Sequence, residues 1–461
     1  MPLLGAFIVP HPPLIVHEVG RGEEKKIQPT IDAYHEVAKR IASLKPETII
    51  VFSPHSPSYS DYFHIAPGAV ALGSFKEFNA PEVRFNVDYD EPLVKSISEL
   101  AQKEKIPAGT LGERNERLDH GVMVPLYFIN QAYQDYKLVK ISLSGLTPVT
   151  HYRLGKCIAQ AIEQSGKKVV IVASGDLSHK LTRDGPYGYA KEGPEFDKQV
   201  TKAFAKGDFL SLLTMDENLC IDAAECGLGS FQIMAGCFDG LSVQSELLSY
   251  EGPFGVGYGV ASFMPLAKDE SRHYDLILLG EEEKKTKERR SHEDAYLRLA
   301  RASLEYFVIN GKTMPKPENL PSEMEKERAG VFVSIKKFGH LRGCIGTIAP
   351  TQENIALEII HNAVSAGTED PRFDAVLEDE LPDLVYDVDV LGKPEKIASM
   401  AELDPKHYGV IVSCSGRRGL LLPDLEGIDT SQKQVKIALQ KAGIDEDEPY
   451  SMQRFQVTRH E

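Results

Sequence analysis

Apolar positions in the first part of the chain follow two alternating patterns. Leu3–Val9 (LLGAFIV), Thr48–Phe52 (TIIVF), Leu138–Leu143 and Val169–Ala173 (VVIVA) are short, nearly unbroken runs rich in β-branched residues. Such runs are the signature of strands buried on both faces. Between the first two, Ile27, Ile31, Tyr34, Val37, Ala38 and Ile41 share one helical face and Pro46 follows. This predicts a helix over 27–44 that stops before the proline. Residues 151–165 and 195–213 are further helix candidates. Strand–helix alternation predicts an α/β domain with a central sheet and flanking helices.

The rhythm changes further on. A helix over 292–308 precedes a strand-rich run over 331–348 with Gly339 at its turn. A helix around 354–364, strands at Leu384–Leu391 and Gly409–Ser413, and a helix after Thr430 complete a smaller α+β domain. Between the two parts stands EEEKKTKERR, Glu281 to Arg290, which reads as an exposed helix face or as a linker. The working division is 1–267, a charged linker over 268–290, and 291–461.

Charge and cysteine usage narrow the function classes. The 461 residues carry a formal net charge of −16, so general attraction to nucleic-acid phosphate is not expected. No stretch approaches ~18 uninterrupted apolar residues, which argues against a membrane span. The apolar start MPLLGAFIVPHPPLIV lacks a basic flank and is broken by prolines, unlike a signal peptide. Six cysteines form no CxxC pair, a pattern of reduced thiols and a cytoplasmic protein. There is no GxSxG elbow and no GxxxxGK[ST] loop, and the glycines of GPFGVGYG precede a strand rather than open a helix.

Histidines carry the candidate chemistry. His11 (VPHPP), His55 (SPHS) and His179 (SGDLSH) each follow a predicted strand, and His120 (LDHGVMVPL) precedes another apolar segment. Each alone reads as a turn or satisfied core residue. Ligands of open α/β sheets collect where strands end, so repeated placement there points to one site. Two neutral imidazoles with one carboxylate leave half an octahedron open, which suits Fe(II) binding substrate and dioxygen together; thiolate ligation would instead suit Zn or Cu. Glu225 in DAAECGLGSFQIM is the candidate carboxylate, because a lone charge opening an apolar segment is costly unless paired or metal-bound. Asp222 is a candidate helix cap. Asp176 could orient a histidine or bind loop backbone, and Cys226 is a buried filler or a ligand.

PHPP, SPHS, LDHGVMVPL and SGDLSH, in this order over about residues 1–265, resemble the LigB-type class III extradiol dioxygenase superfamily, which includes the Memo proteins. The resemblance implies that His11 and His55 ligate iron with Glu225, that His179 is the acid/base, and that His120 contacts an aromatic, catechol-like substrate. Asp176 with His179 and Cys226 is similar to the Memo branch, where aspartate, histidines and a cysteine surround the metal and ring cleavage does not follow automatically.

LRGCIG (Leu341–Gly346), EDPRFDAV (Glu369–Val376) and YGVIVSCSGRRGLLLPDLEGIDT (Tyr408–Thr430) closely resemble the AMMECR family over about 291–461. The fusion is similar to proteins of the AmmeMemoRadiSam system, which implies association with a radical-SAM enzyme. From the residues, Cys344 beside Arg342 and His340 is either an activated thiol or a space-filler in a hairpin. Asp370 and Arg372 form either an anion contact or an internal pair fixing the loop. Arg417 and Arg418 are ligand contacts or exposed turn residues. The expected protein is an iron-dependent dioxygenase-type oxidoreductase using dioxygen on an aromatic small molecule. The alternative is a Memo-like non-catalytic metal-binding scaffold whose AMMECR domain recognises a partner. A homo-oligomer is compatible with either.

Overall fold

The computed structural model describes residues 2–114, 117–337, 339–425 and 427–461, apart from the side chain of 379. The chain divides into two compact units, Met1–Gly280 and Glu281–Glu461.

The first unit is built on a six-stranded sheet. Its strands are β1 (Leu3–Val9), β2 (Thr48–Ser53), β3 (Lys137–Ser142), β4 (Val169–Ser174), β5 (Leu241–Glu251) and β6 (Tyr258–Lys268). They lie in the order β3-β2-β4-β1-β6-β5. The first four in that order are parallel, and β6 returns antiparallel against β1 to form a hairpin with β5. Alternation along the strands sends Ile8, Ile50, Phe52, Ile141, Ile171 and Ala173 to one face, and Val9, Ile49, Val51, Leu138, Val170 and Val172 to the other. Both faces are roofed by helices. The helix Gln28–Leu44 lays Tyr34, Val37 and Ile41 on the second face, and Pro148–Ser165 lays Tyr152, Ile158 and Ile162 on the first. Burial on both sides explains why β2 and β4 read as unbroken apolar runs.

The second unit holds two antiparallel four-stranded sheets. Val331–Lys337 and His340–Gly346 form a hairpin in the first, with Leu384–Leu391 on the other side of Val331–Lys337. Helices Ala295–Asn310 and Ile355–Thr368 cover this sheet. Gly409–Cys414 and Arg417–Leu421 pair in the second sheet, covered by Ser431–Ala442. Thr430 caps that helix by accepting the Lys433 amide.

The region read as a charged linker is not irregular. β6 runs to Lys268, and a helix spans Tyr274–His292 with Glu281–Arg290 inside it. Glu, Lys and Arg keep most of their rotamer freedom in a helix, so such a run is helical without an apolar stripe. The candidate helix over 195–213 is two helices, Glu192–Lys206 and Phe209–Leu213, separated at Gly207, whose φ is 61°.

Candidate metal centre

β1, β4 and β2 are neighbours and end level, with Val9 opposite Ser174 and Phe52 opposite Ala173. The residues that follow therefore emerge side by side. His11 leaves β1, Asp176 leaves β4, and His55 leaves β2. Asp176 ties two of these loops together by accepting the His11 backbone N–H at 2.7 Å through Oδ1. The Tyr34 hydroxyl donates to the Pro10 carbonyl and steadies the same loop.

Nε2 of His11 and Nε2 of His55 face each other at 2.9 Å. Cys226 Sγ lies 3.6 Å from His11 Nε2, and the ligand atoms of His11, His55 and Cys226 all fall within 4.8 Å of one another. Metal–imidazole bonds of about 2.0–2.1 Å place adjacent octahedral ligands ~2.9 Å apart, so the two nitrogens are spaced as neighbours in one coordination shell. His11 Nδ1 is 2.9 Å from Ser174 Oγ, which fixes the ring plane and leaves Nε2 turned inward. Burial, together with the charges of His55, His120 and His179, pushes the His11 pKa well below the usual histidine value. The ring is therefore a neutral lone-pair donor, the form a metal takes.

His120 opens the helix His120–Ala132, and its ring lies 4.0 Å from that of His55 and 5.6 Å from that of Phe78. Burial pushes its pKa down to about 4. The approach depends on Gly121, where a Cβ would come within 2.3 Å of Ser53 Oγ. His179 Nδ1 lies 2.5 Å from the Ala224 carbonyl. A carbonyl only accepts, so Nδ1 carries the hydrogen and Nε2 keeps its lone pair. Burial also lowers the His179 pKa.

The two carboxylates have different surroundings. Asp176 Oδ2 is 4.0 Å from His11 Nε2, and burial pushes the Asp176 pKa up to about 7. Glu225 turns its Oε2 to the Leu228 amide at 2.7 Å, capping the helix Leu228–Gly236. Its pKa is likewise pushed up by burial, to about 7. Cys226, adjacent in sequence, is the residue that meets His11. Asp222 lies exposed within the helix Glu217–Ala223, and that helix is capped by Asp216. Neither pattern nor spacing favoured the thiol, because its position depends on two glycine backbones in contact. A Cβ on Gly175 would sit 2.2 Å from the Gly227 Cα.

A cleft of about 940 Å³ opens beside His55 and His120, walled by Leu72, Phe78 and Met123 and carrying Asp119 and Lys140. Ser53 and Ser56 hydroxyls occupy the two Asp119 oxygens at 2.6 Å each. Sequence reading passed over Ser174, Phe78 and Lys140. Only Lys140 left a signal, a lysine inside the apolar strand run LVKIS.

The candidate residues of the second unit are paired off instead. Arg342 makes a two-pronged contact with Glu380 at 3.1 and 2.9 Å and donates to the Asp374 carbonyl. Arg372 grips Asp370 at 2.9 and 2.7 Å, and Asp370 also accepts the Cys344 amide at 2.8 Å. The Arg372 guanidinium holds the Asp370 carboxyl well below the usual carboxylate range. Arg342 likewise takes Glu380 down to about 2. The Cys344 thiol receives the Ser334 hydroxyl at 3.2 Å. Of the two readings for Asp370 and Arg372, the geometry is that of a pair fixing the loop. Arg417 pairs with Glu448.

Residues 5–261 match the family model described as the catalytic LigB subunit of aromatic ring-opening dioxygenase, and residues 297–461 match that of AMMECR1. A Clostridium acetobutylicum protein is 44% identical over 468 residues, covering 100% of this chain and 99% of its own length. A Thermotoga maritima protein is 51% identical over 170 residues, 36% of this chain and 98% of its own. Among solved structures, an uncharacterised Pyrococcus horikoshii protein is 30% identical with a TM-score of 0.33, covering 36% of this chain and 88% of its own. No helix among the described residues is long and apolar enough to cross a membrane.

Proposed function

The chain belongs to the LigB family of aromatic ring-opening dioxygenases, with an AMMECR1 domain in the same polypeptide, and on that premise we propose that its first unit is a metal-dependent, oxygenase-type oxidoreductase for a phenolic small molecule. The observation that carries this reading is the convergence of His11 and His55 Nε2 at 2.9 Å beside an aromatic-walled cleft. His11 and His55 would hold the metal with Cys226 as the adjacent donor. Iron(II) in such a site supplies a Lewis acid for a phenolate and a centre able to engage dioxygen.

The chain's own groups supply the rest. His179, with Nδ1 committed to Ala224, presents Nε2 as the base that takes a phenolic proton and returns it. The rings of His120 and Phe78, set edge to face, form two sides of a corner for an aromatic ring, and Leu72 and Met123 exclude water. A radical-SAM enzyme that supplies or consumes the phenolic molecule is part of the same proposal. One observation favours a second reading, a Memo-like metal-binding scaffold without turnover. The donor beside the histidines is a thiol, and the Glu225 carboxylate is engaged with the Leu228 amide.

The test is metal content after anaerobic purification and Fe(II) reconstitution for the wild type, His55→Ala, Cys226→Ser and Glu225→Gln, followed by oxygen uptake with catechols. Near-stoichiometric iron lost in His55→Ala, with oxygen uptake in the wild type, supports the oxygenase. Tight zinc or copper that depends on Cys226, with no oxygen uptake, replaces it with the scaffold.

A further inference from the structure

Asp197 stands in the helix Glu192–Lys206 beside the buried residues Phe196, Val200 and Phe204, and its own exposure is 0%. A carboxylate taken out of water is costly unless its lone pairs are filled. Neutral donors fill them. The Ser178 N–H donates to Oδ1 at 2.8 Å, and the Tyr250 hydroxyl, near the end of β5, donates to Oδ2 at 2.7 Å. Burial outweighs both bonds and pushes the Asp197 pKa up to about 6. Gly257 keeps the space open, since a Cβ there would come within 2.1 Å of Oδ2. That glycine belongs to the GPFGVGYG segment, and its backbone brackets the same turn. Its N–H donates to the Ser178 carbonyl, and the Leu177 N–H donates to its carbonyl, each at 2.8 Å. An apolar side chain would fill this helix position at lower cost, so packing does not account for the carboxylate.

What the carboxylate grips is the residue before His179. The Ser178 hydroxyl donates to the Ala223 carbonyl at 2.9 Å and accepts the Lys180 N–H at 3.0 Å. The His179 N–H reaches the same Ala223 carbonyl at 3.1 Å. The next carbonyl along, that of Ala224, takes the imidazole at Nδ1. Ala224 is held at φ 52°, a left-handed conformation that an alanine keeps only where its surroundings over-determine it. The acceptor of the ring is thus positioned by the Ser178–His179 backbone, and that backbone by Asp197. Which imidazole nitrogen carries the hydrogen is set by the bond the ring makes. Without a fixed acceptor at Nδ1, the hydrogen distributes over both nitrogens.

We propose that Asp197 is the positioning residue of His179. By gripping the Ser178 amide it seats the 177–179 turn on Ala223, which delivers the Ala224 carbonyl to Nδ1 and leaves the Nε2 lone pair open. The inference rests on the oxygenase reading only for what His179 then does as a base; the tautomer is a property of the metal-free chain. Tyr250 marks the limit of the role, because it binds the other carboxylate oxygen and fastens the helix to β5 without touching Ser178.

Histidine-selective nitrogen NMR of the metal-free full chain at mildly alkaline pH tests it, with His179→Gln identifying the signal. The wild type is expected to carry the hydrogen on Nδ1 alone. Asp197→Ala should show both tautomers in comparable amounts. Asp197→Asn, whose amide oxygen still accepts the Ser178 N–H, should restore the single form. Tyr250→Phe should lower thermal stability and leave the tautomer alone, a split that a merely structural carboxylate would not produce. Asp197→Leu fills the same space and gives the same readout should the alanine variant not fold. A wild-type ring with its hydrogen on Nε2 would overturn the proposal, as would an Nδ1 form that persists unmixed in Asp197→Ala or Asp197→Leu. With iron and catechol, Asp197→Ala should lose about tenfold or more in kcat at unchanged KM. Tautomer control by Asp197 in a protein without oxygen uptake would keep the positioning role and remove the oxygenase reading. Equal oxygen uptake in wild type and Asp197→Ala, with the Nδ1 form intact in both, would do the reverse.

Discussion

Titratable side chains gather in both units, but the two gatherings are built on opposite principles. In the first unit, His11, His120, His179, Asp176 and Glu225 are crowded into a poorly solvated region with few charge partners. Burial drives the histidines down and the carboxylates up, toward neutral forms. In the second unit, Asp370 and Glu380 each face an arginine and are driven down, deeper into the charged form. Groups held against their preferred state, around two imidazole nitrogens that face each other at 2.9 Å, mark a candidate ligand site. Groups that satisfy one another mark a loop fastened in place. Buried carboxylates therefore carry different meanings in the two units.

The largest effect expected from this contrast is on metal binding. His55→Ala should reduce bound metal by about tenfold or more, since a lost ligand exceeds the 10–100-fold cost seen for outer-shell partners. Arg342→Ala in the second unit should leave metal content unchanged. Inductively coupled plasma analysis of both proteins decides it, and metal loss in the arginine variant would break the contrast.

Removing a clamp should act on stability alone. Arg372→Ala leaves the buried Asp370 carboxylate with only backbone donors and should cost about 2 kcal/mol, below the 3–5 of a fully buried pair because the arginine is half-exposed. Urea unfolding should show this with metal content intact.

A smaller effect separates the units by pH. Asp176 has a folded pKa of about 7, above its ordinary value near 4 in an unfolded chain. The stability it contributes is complete at low pH and is lost as pH rises through 7. Asp176 should therefore take about 1 kcal/mol from the metal-free first unit between pH 6 and 8, while the buried histidines, whose folded pKa values are lowered, gain stability over the same range, so the difference between wild type and Asp176→Asn isolates the loss due to the carboxylate. Glu380, with its folded pKa at about 2, contributes stability that is present above its unfolded pKa and is lost only as pH falls toward 2. The second unit should therefore not change over the same range. Unfolding followed at each pH by probes placed in each unit measures both.

The smallest effect expected is for Cys344→Ser. With the Ser334 hydroxyl and the Arg372 guanidinium on its thiol, the change should cost under about 1 kcal/mol and leave metal content and any oxygen uptake unchanged. A loss of activity without unfolding would make Cys344 a reacting group and end the reading of that unit as fastened structure.

Much of this was legible in the sequence because it is local. The runs 3–9, 48–52 and 169–173 became β1, β2 and β4 with at most one residue of difference, and the helix over 27–44 begins at Gln28. His11, His55 and His179 stand where strand-end logic put them. Of the two readings offered for Glu281–Arg290, the exposed helix face is observed, inside the helix Tyr274–His292, and the boundary between the two compact units falls within 268–290; a run of mixed charge has no period that separates helix from coil.

The sequence by itself determined the two-part architecture, the buried strands and the histidines at their ends. Side-chain period and strand order within a parallel sheet are set by nearby residues and a few topological rules. Only the tertiary structure decided that Cys226 rather than Glu225 meets His11, across 215 positions of sequence. It also decided that Arg342 and Arg372 are neutralised by Glu380 and Asp370, and that a strand lysine lines the cleft. Each of these depends on how closely distant backbones approach. At the centre, that distance is set by Gly175 and Gly227, where the absence of side chains permits a contact no local pattern encodes.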